Sequence, residues 1–409
     1  MEMIYLPIQS EKVVAKYNLP ISKSEINRWL ILQYLLPDVV DLKAISKAED
    51  SQILFRILQE EFRLNDEIDC GAAGTVYRFL TALSALSNGS RILTGSKRLM
   101  ERPIAPLVNA LRQLGASIEY LDKEGFGPIA IEGKPLTGGV VDLDNTSSSQ
   151  FVTALMLIAP SLPKGLEIRH SGLGTSAAYI YMTALILEKI GCKVKVLPAS
   201  IQVSLPSSFK SVRIKAEADW SAASYAYGKA LLANKAEIYL PGLRLPSFQG
   251  DSRIAEYFSL FGIETIYTGG GVRLRKEKST SILPYRVEWN FSDTPDLAQT
   301  CIVSLAAIGQ PFYITGLHTL PTKETDRLWA LKLELAKVGI ELEITRESCK
   351  YSPSSPHELH ISKEPLQTYD DHRMAMSLSI LAMKLPISIA NPEVVAKSFP
   401  DFWSEFFKF

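Results

Sequence analysis

Cysteine is scarce in this sequence: Cys70, Cys192, Cys301 and Cys349 are the four in 409 residues. None falls in a CxxC spacing, which argues against a zinc ribbon or a dithiol redox site. They read as reduced thiols of a cytoplasmic protein. Histidine is nearly as rare, with five residues and no HxxxH or HExxH spacing, so neither a metal nor another cofactor is expected. Net charge is missing too. The 44 basic and 44 acidic residues cancel, so no bulk field favours nucleic acid or a membrane surface. Any anion site must be built locally. The longest apolar run, Phe151 to Leu162, is too short to span a bilayer and contains Pro160. Residues Met1 to Ser10 show no basic stretch followed by an apolar one, so no secretory leader is expected.

What is present is apolar bulk and a few dense polar motifs. The 46% hydrophobic content supports large cores, and the length suggests two domains of about 200 residues each. The densest motif is Thr322-Lys-Glu-Thr-Asp-Arg-Leu328. A β-branched and aromatic segment, Pro311 to Thr315, precedes it and reads as a strand. Leucines at helical spacing follow it until Gly339. The motif therefore opens a helix, capped by Thr322 with Thr325 or Asp326, with Lys323, Glu324 and Arg327 around its first turn. Helix starts attract anions. Two readings stand: a solvated helix cap, or a site for an anionic substrate with acid–base work to do.

The pattern recurs, which favours the second reading. Polar motif, apolar helix, strand, second polar motif, amphipathic helix, glycine and strand follow one another from Gly71, Ser147, Asp219 and Asp293. These starts lie roughly 75 residues apart. Partial copies begin at Ser22 and Tyr369, giving six units of βαβ type, three per domain. Several first helices (Phe151–Ile158, Leu297–Ala307, Met374–Ile380) are apolar over most of their surface and should be buried. Buried helices with sheets outside would be an inverted α/β arrangement, with the polar motifs gathered at helix N-termini.

Each motif has a plainer reading beside the functional one. Lys23, Ser24 and Arg28 could grip an anion or simply solvate a helix start. Gly71-Ala-Ala-Gly-Thr75 offers open backbone N–H groups, yet no Walker lysine follows. Arg78 and Arg102 add guanidinium forks. N-capping explains one residue of Ser147-Ser148-Ser149-Gln150, not all four. Asp296 precedes a buried helix as a cap or as a base. Asp371-His372-Arg373 and Lys397 close the series.

Together these motifs resemble those of the 3-phosphoshikimate 1-carboxyvinyltransferase (EPSP synthase) family of enolpyruvyl transferases. The resemblance runs from Leu19–Arg28 to Ala396–Asp401. Its most specific pieces are Lys323–Leu328, Tyr369–Met376 and Leu93-Thr-Gly with Glu101–Ile104. It implies a two-domain inside-out α/β barrel, each domain three βαβαββ-type repeats with buried parallel helices and outer sheets. Residues 21–218 would form one domain, and 1–20 with 219–409 the other. The implied reaction moves the enolpyruvyl group of phosphoenolpyruvate to the 5-hydroxyl of 3-phosphoshikimate and releases phosphate, without metal, by addition and elimination. Carried over by position, Ser148, Ser149 and Ser176 hold the phosphate of 3-phosphoshikimate. Ser24 and Arg28 hold its carboxylate side, and Gln150 lies between the substrates. Lys23, Gly74, Arg102, Arg327, Arg373 and Lys397 surround phosphoenolpyruvate, with Lys23 and Gln150 touching both substrates. Asp296 takes the hydroxyl proton, Lys323 positions that hydroxyl, and Glu324 is the candidate to protonate the methylene carbon. The resemblance also implies a monomeric cytoplasmic enzyme.

The sequence departs from the family pattern at Ile21, Ala72, Ala177-Ala178 and Thr319. A relative specific for UDP-N-acetylglucosamine would rely on a cysteine that the Gly95–Arg102 stretch lacks. A non-catalytic anion-binding paralogue would have no need of Asp296 and Glu324 beside Lys23 and Lys323.

Overall fold

The structure, a computed structural model, describes residues 2–62, 67–143, 148–172, 176–277, 283–353 and 358–407. The chain forms two compact units, Ser22–Ala216 and the pair Met1–Ile21 with Glu217–Phe409. Ser147, the expected start of one repeat, lies outside the described residues.

Both units are built from the same repeat. In Ser22–Ala216 the order is strand Glu67–Asp69, helix Gly74–Leu86, strand Gly89–Thr94, helix Ala105–Gln113, then strands Ser117–Tyr120 and Ile129–Gly133. The first two strands pair parallel, and the last strand inserts antiparallel between the second and third. Strands Gly139–Asp142, Leu166–Arg169, Lys193–Val196 and Ser200–Ser204 repeat this order around helices Ser149–Ile158 and Ala177–Lys189. The other unit has two such sheets. One takes its first strand, Lys12–Lys16, from the start of the chain and pairs it with Lys235–Pro241. The second contains Val287–Asn290, Phe312–Thr315, Glu343–Ile344 and Cys349–Tyr351.

The third repeat of each unit is split. Val40–Leu42 pairs parallel with Val212–Ile214, and Met3–Leu6 pairs antiparallel with Ile387–Ala390. Four four-stranded and two two-stranded sheets result, and none closes on itself among the described residues. The barrel of the family description is therefore helices enclosed by separate sheets.

Burial follows composition. All ten residues of helix Ala298–Ala307 are buried, as are twelve of thirteen in Trp220–Leu232. A helix apolar all round belongs in a core. Gly228 permits the approach: a Cβ there would stand 2.6 Å from Ile380 and 2.8 Å from Ser304. Some of the polar groups inside pair across helices, Ser224 with Thr300 at 3.0 Å and Thr300 with Ser377 at 3.4 Å. The strands alternate buried and exposed residues, as in Lys235–Pro241, so one sheet face meets the helices and the other meets water.

The polar motifs start helices and cap them. Asp219, Asp326 and Asp371 accept backbone N–H bonds from Ala222, Trp329 and Arg373 at 2.9, 3.1 and 2.8 Å. Two local expectations change. Thr322 ends a short 3-10 turn and does not cap the next helix, which begins at Arg327 behind Asp326. Lys323 and Glu324 thus stand on the approach to the helix. Asp296 sits in the 3-10 turn Pro295–Leu297 and caps nothing with its side chain, leaving its carboxylate for other partners.

Candidate active site

In the unit holding both ends of the chain, Arg327 is the centre of a charge cluster. Its side chain is 2% exposed. Nε and a terminal nitrogen donate to Asp371 at 2.7 and 3.3 Å, and further N–H groups reach Glu324 at 3.0 Å and Asp296 at 3.3 Å. Arg373 donates to the Asp296 carboxylate at 2.9 Å and to its carbonyl at 3.3 Å. Lys323 lies 3.7 Å from Asp296, and Lys397 lies 3.1 Å from Glu324. Asp371 is the fixed partner: it caps its own helix and grips Arg327 in a fork. These seven side chains carry four positive and three negative charges. The cluster therefore has one positive charge to offer an anion.

Electrostatics sort the carboxylates. Burial alone would raise the Asp296 carboxyl. Arg373, then Lys323 and Arg327, outweigh that and hold it well below the usual carboxylate range, against the pull of Glu324. Asp251, nearly buried and bonded to Ser221, moves the other way. Burial, followed by the charge of Asp296, pushes it up to about 7. Arg327 is raised: burial would lower it, but Asp371, Glu324 and Asp296 prevail.

The other unit gathers a second set. Lys23 pairs with Asp50 at 2.8 Å. Arg28 is 3% exposed and, among the described residues, bonds neutral groups: Thr183 Oγ1 at 2.9 Å, Thr153 Oγ1 at 3.3 Å, and the carbonyls of Ser24 and Tyr179 at 2.5 and 3.2 Å. Burial lowers it to about 10, with Tyr179 and Glu25 opposing, so it stays a cation at neutral pH. Arg78 and Arg102 converge on Gly74, where a Cβ would lie 2.7 and 2.6 Å from their guanidinium nitrogens. A side chain there would have to push both guanidiniums aside. Ser148 caps the next helix through the Gln150 N–H at 3.3 Å, and Ser149 is buried in its first turn. Gln150 donates to Thr75 Oγ1 at 3.2 Å, while its Oε1 is buried with no partner among the described residues. Ser176 is buried and left-handed, with φ 66°. A non-glycine residue in that region stores strain of the kind found at ligand sites.

Cationic side chains gather at helix starts in both units, threaded with carboxylates around Arg327 in one of them. The family model described as EPSP synthase (3-phosphoshikimate 1-carboxyvinyltransferase) matches residues 39–406. The chain belongs to the EPSP synthase family. A 3-phosphoshikimate 1-carboxyvinyltransferase of Bacteroides fragilis is 41% identical over 404 residues, 98% of this chain and 97% of the relative. One from Vibrio cholerae is 32% identical, covering 97% of each chain. Among solved structures, an EPSP synthase of Acinetobacter baumannii superposes with a TM-score of 0.73 at 20% identity, covering 98% of this chain and 96% of its own. The enolpyruvyl transferase NikO of Streptomyces tendae gives 0.69 at 14%, covering 99% and 96%. Both support the inside-out fold.

Within this EPSP synthase family member, Asp296, Lys323, Glu324, Arg327, Arg373 and Lys397 come together in one unit. Lys23, Ser24, Arg28, Gly74, Arg102, Ser148, Ser149, Gln150 and Ser176 belong to the other. Sequence reasoning gives Asp50, Asp251 and Asp371 no role. Asp50 carries a signal all the same, because Glu49-Asp50 is the second polar motif of the partial copy that begins at Ser22. None existed for the Arg327–Asp371 pairing, which joins helices 44 positions apart.

Proposed function

We propose that this chain transfers the enolpyruvyl group of phosphoenolpyruvate to the 5-hydroxyl of 3-phosphoshikimate, releasing phosphate. The observation that carries the reading is Asp296, part-buried and ionised between Arg373, Lys323 and Arg327, with Glu324 beside it. Ser148, Ser149 and Ser176 take the phosphate of 3-phosphoshikimate, and Arg28 and Ser24 its carboxylate side. Arg373, Lys397, Lys23, Arg102 and the Gly74 amide take phosphoenolpyruvate. Gln150, whose carbonyl oxygen has no partner among the described residues, lies between the two.

The charge balance gives the chemistry an order. A carboxylate held far below its usual range is a poor proton acceptor. An anionic substrate that draws Arg373 and Lys323 to itself removes the groups that hold Asp296 down, and its proton affinity rises. Asp296 then accepts the hydroxyl proton as oxygen attacks the enol carbon, and Glu324 delivers a proton to the methylene carbon. Elimination returns the methylene proton and expels phosphate. The cations meet charge as it moves, without reorganising. The protein acts as a monomer in solution; among the described residues no helix is long and apolar enough to cross a membrane.

Phosphate release, followed continuously with both substrates present, tests the assignment. Release that needs both substrates is the expected result; none from folded protein would sink it. Replacing Arg373 with Ala separates the substrates. The KM for phosphoenolpyruvate should rise roughly 10–100-fold, as for a lost charged hydrogen bond, with 3-phosphoshikimate nearly unaffected. Equal weakening of both would place Arg373 in the scaffold.

A further inference from the structure

Lys229 is a cation where composition predicts none. It sits in the last turn of helix Trp220–Leu232 and is 4% exposed. Among the described residues no carboxylate lies within ion-pairing distance of it. Its ammonium donates to the carbonyl of Phe406 at 2.5 Å and lies 4.3, 5.6 and 5.8 Å from the rings of Phe407, Tyr17 and Phe406. Burial pushes its pKa down to about 7, so the fold bears a cost to keep an amine there. What it receives is the end of helix Phe402–Phe406. Carbonyls at a helix C-terminus lack intrahelical partners, and a cation both satisfies and charge-matches them.

That short helix is tied down on three other sides. Tyr17 stacks on Phe406 at 4.2 Å. Glu405 accepts from the Asn18 backbone N–H at 2.9 Å and from its side chain at 3.2 Å. Trp403 donates its indole N–H to the carbonyl of Pro392 at 2.8 Å. Pro392 opens the 3-10 helix Pro392–Lys397, and Lys397 ends it with its ammonium on Glu324. Phe399, two residues beyond Lys397, packs on Phe402 and Phe406. A continuous set of contacts thus runs from Lys229 through the aromatic helix to the Lys397 ammonium.

We propose that Lys229 is a positioning residue: by capping the aromatic C-terminal helix it fixes the Pro392–Lys397 turn and so the placement of the Lys397 ammonium. It touches no substrate and acts only through Lys397. The kinetic readout rests on the enolpyruvyl-transfer reading.

The test uses the full-length protein. Lys229→Met keeps the stem and removes the donor and charge. The KM for phosphoenolpyruvate should rise about tenfold, the effect of one charged hydrogen bond, while the KM for 3-phosphoshikimate stays within twofold. In a Lys397→Met background the same change should add less than twofold, because the residue it positions is gone. Trp403→Phe, which removes only the indole N–H, should give a smaller rise of the same kind. Full additivity with Lys397→Met, equal rises for both substrates, or an unchanged phosphoenolpyruvate KM would each overturn the proposal. If Lys229→Met does not fold, Trp403→Phe decides, and an unchanged KM refutes it. Should the unaltered protein fail to turn over, the functional reading falls. The clasp is then decided by hydrogen exchange over residues 392–407, faster in Lys229→Met if it exists and unchanged if it does not.

Discussion

Asp296→Asn lowers turnover by about 10²–10⁴-fold, the range for a positioned base, while both substrates still bind. Asparagine keeps the size and the acceptor oxygen facing Arg373, so the geometry survives and the proton acceptor is lost. It also leaves Lys323, Arg327 and Arg373 with one fewer counter-charge, so anion affinity holds or tightens. Steady-state kinetics check this: a loss under tenfold would move the base to Glu324. The substitution carries a stability signature as well. The Asp296 carboxyl is held below its ordinary value, so its ionised form favours the folded state. That contribution is full above about pH 4, the ordinary carboxylate range, and drains away as pH falls toward the folded value. Melting temperatures taken between neutral and acid pH should fall less steeply in the variant than in the parent.

Arg327→Met unfolds at distinctly lower denaturant, a loss of about 3–5 kcal/mol, the cost of removing one side of a buried ion cluster. Asp371, fully buried, would lose its fork. Lysine restores little, because a point charge cannot serve Asp371 in a fork and Glu324 and Asp296 as well. The family resemblance places Arg327 against phosphoenolpyruvate, whereas here three carboxylates occupy its guanidinium. Urea titration separates these roles. Unchanged stability with a specific rise in phosphoenolpyruvate KM would make Arg327 a substrate contact.

Much of this is legible in the sequence. The helix starts carry their caps in plain view, and Asp326 fulfils one of the options that the Thr322–Leu328 stretch left open. The apolar run in Ala298–Ala307 announces a buried helix because no face of it is polar. The strand expected at residues 341–345 after Gly339 is present as Glu343–Ile344. Glu67–Asp69 gives no such signal: it has too few residues to show alternation, and parallel pairing with Gly89–Thr94 across a helix supplies what local pattern cannot. Partnership was equally hidden. Lys23, Arg28 and Arg327 look alike as basic residues at helix starts. One meets a carboxylate, one meets hydroxyls and carbonyls, and one meets three carboxylates. Only the packing of separate helices decides which.

The split repeats set a timetable for synthesis. A ribosome delivers strand Met3–Leu6 long before its partner Ile387–Ala390. The unit from Ser22 to Ala216 contains all of its own strands and can close while the rest is still being translated. Met3–Leu6 must meanwhile wait with Met3 and Tyr5 on one side, Leu6 on the other, and an unpaired edge between them. Unpaired apolar edges are what neighbouring nascent chains add to. That waiting strand is therefore the one most in need of a chaperone, and slowing translation between the two partners should cost more soluble protein than slowing it before Met3–Leu6 is made.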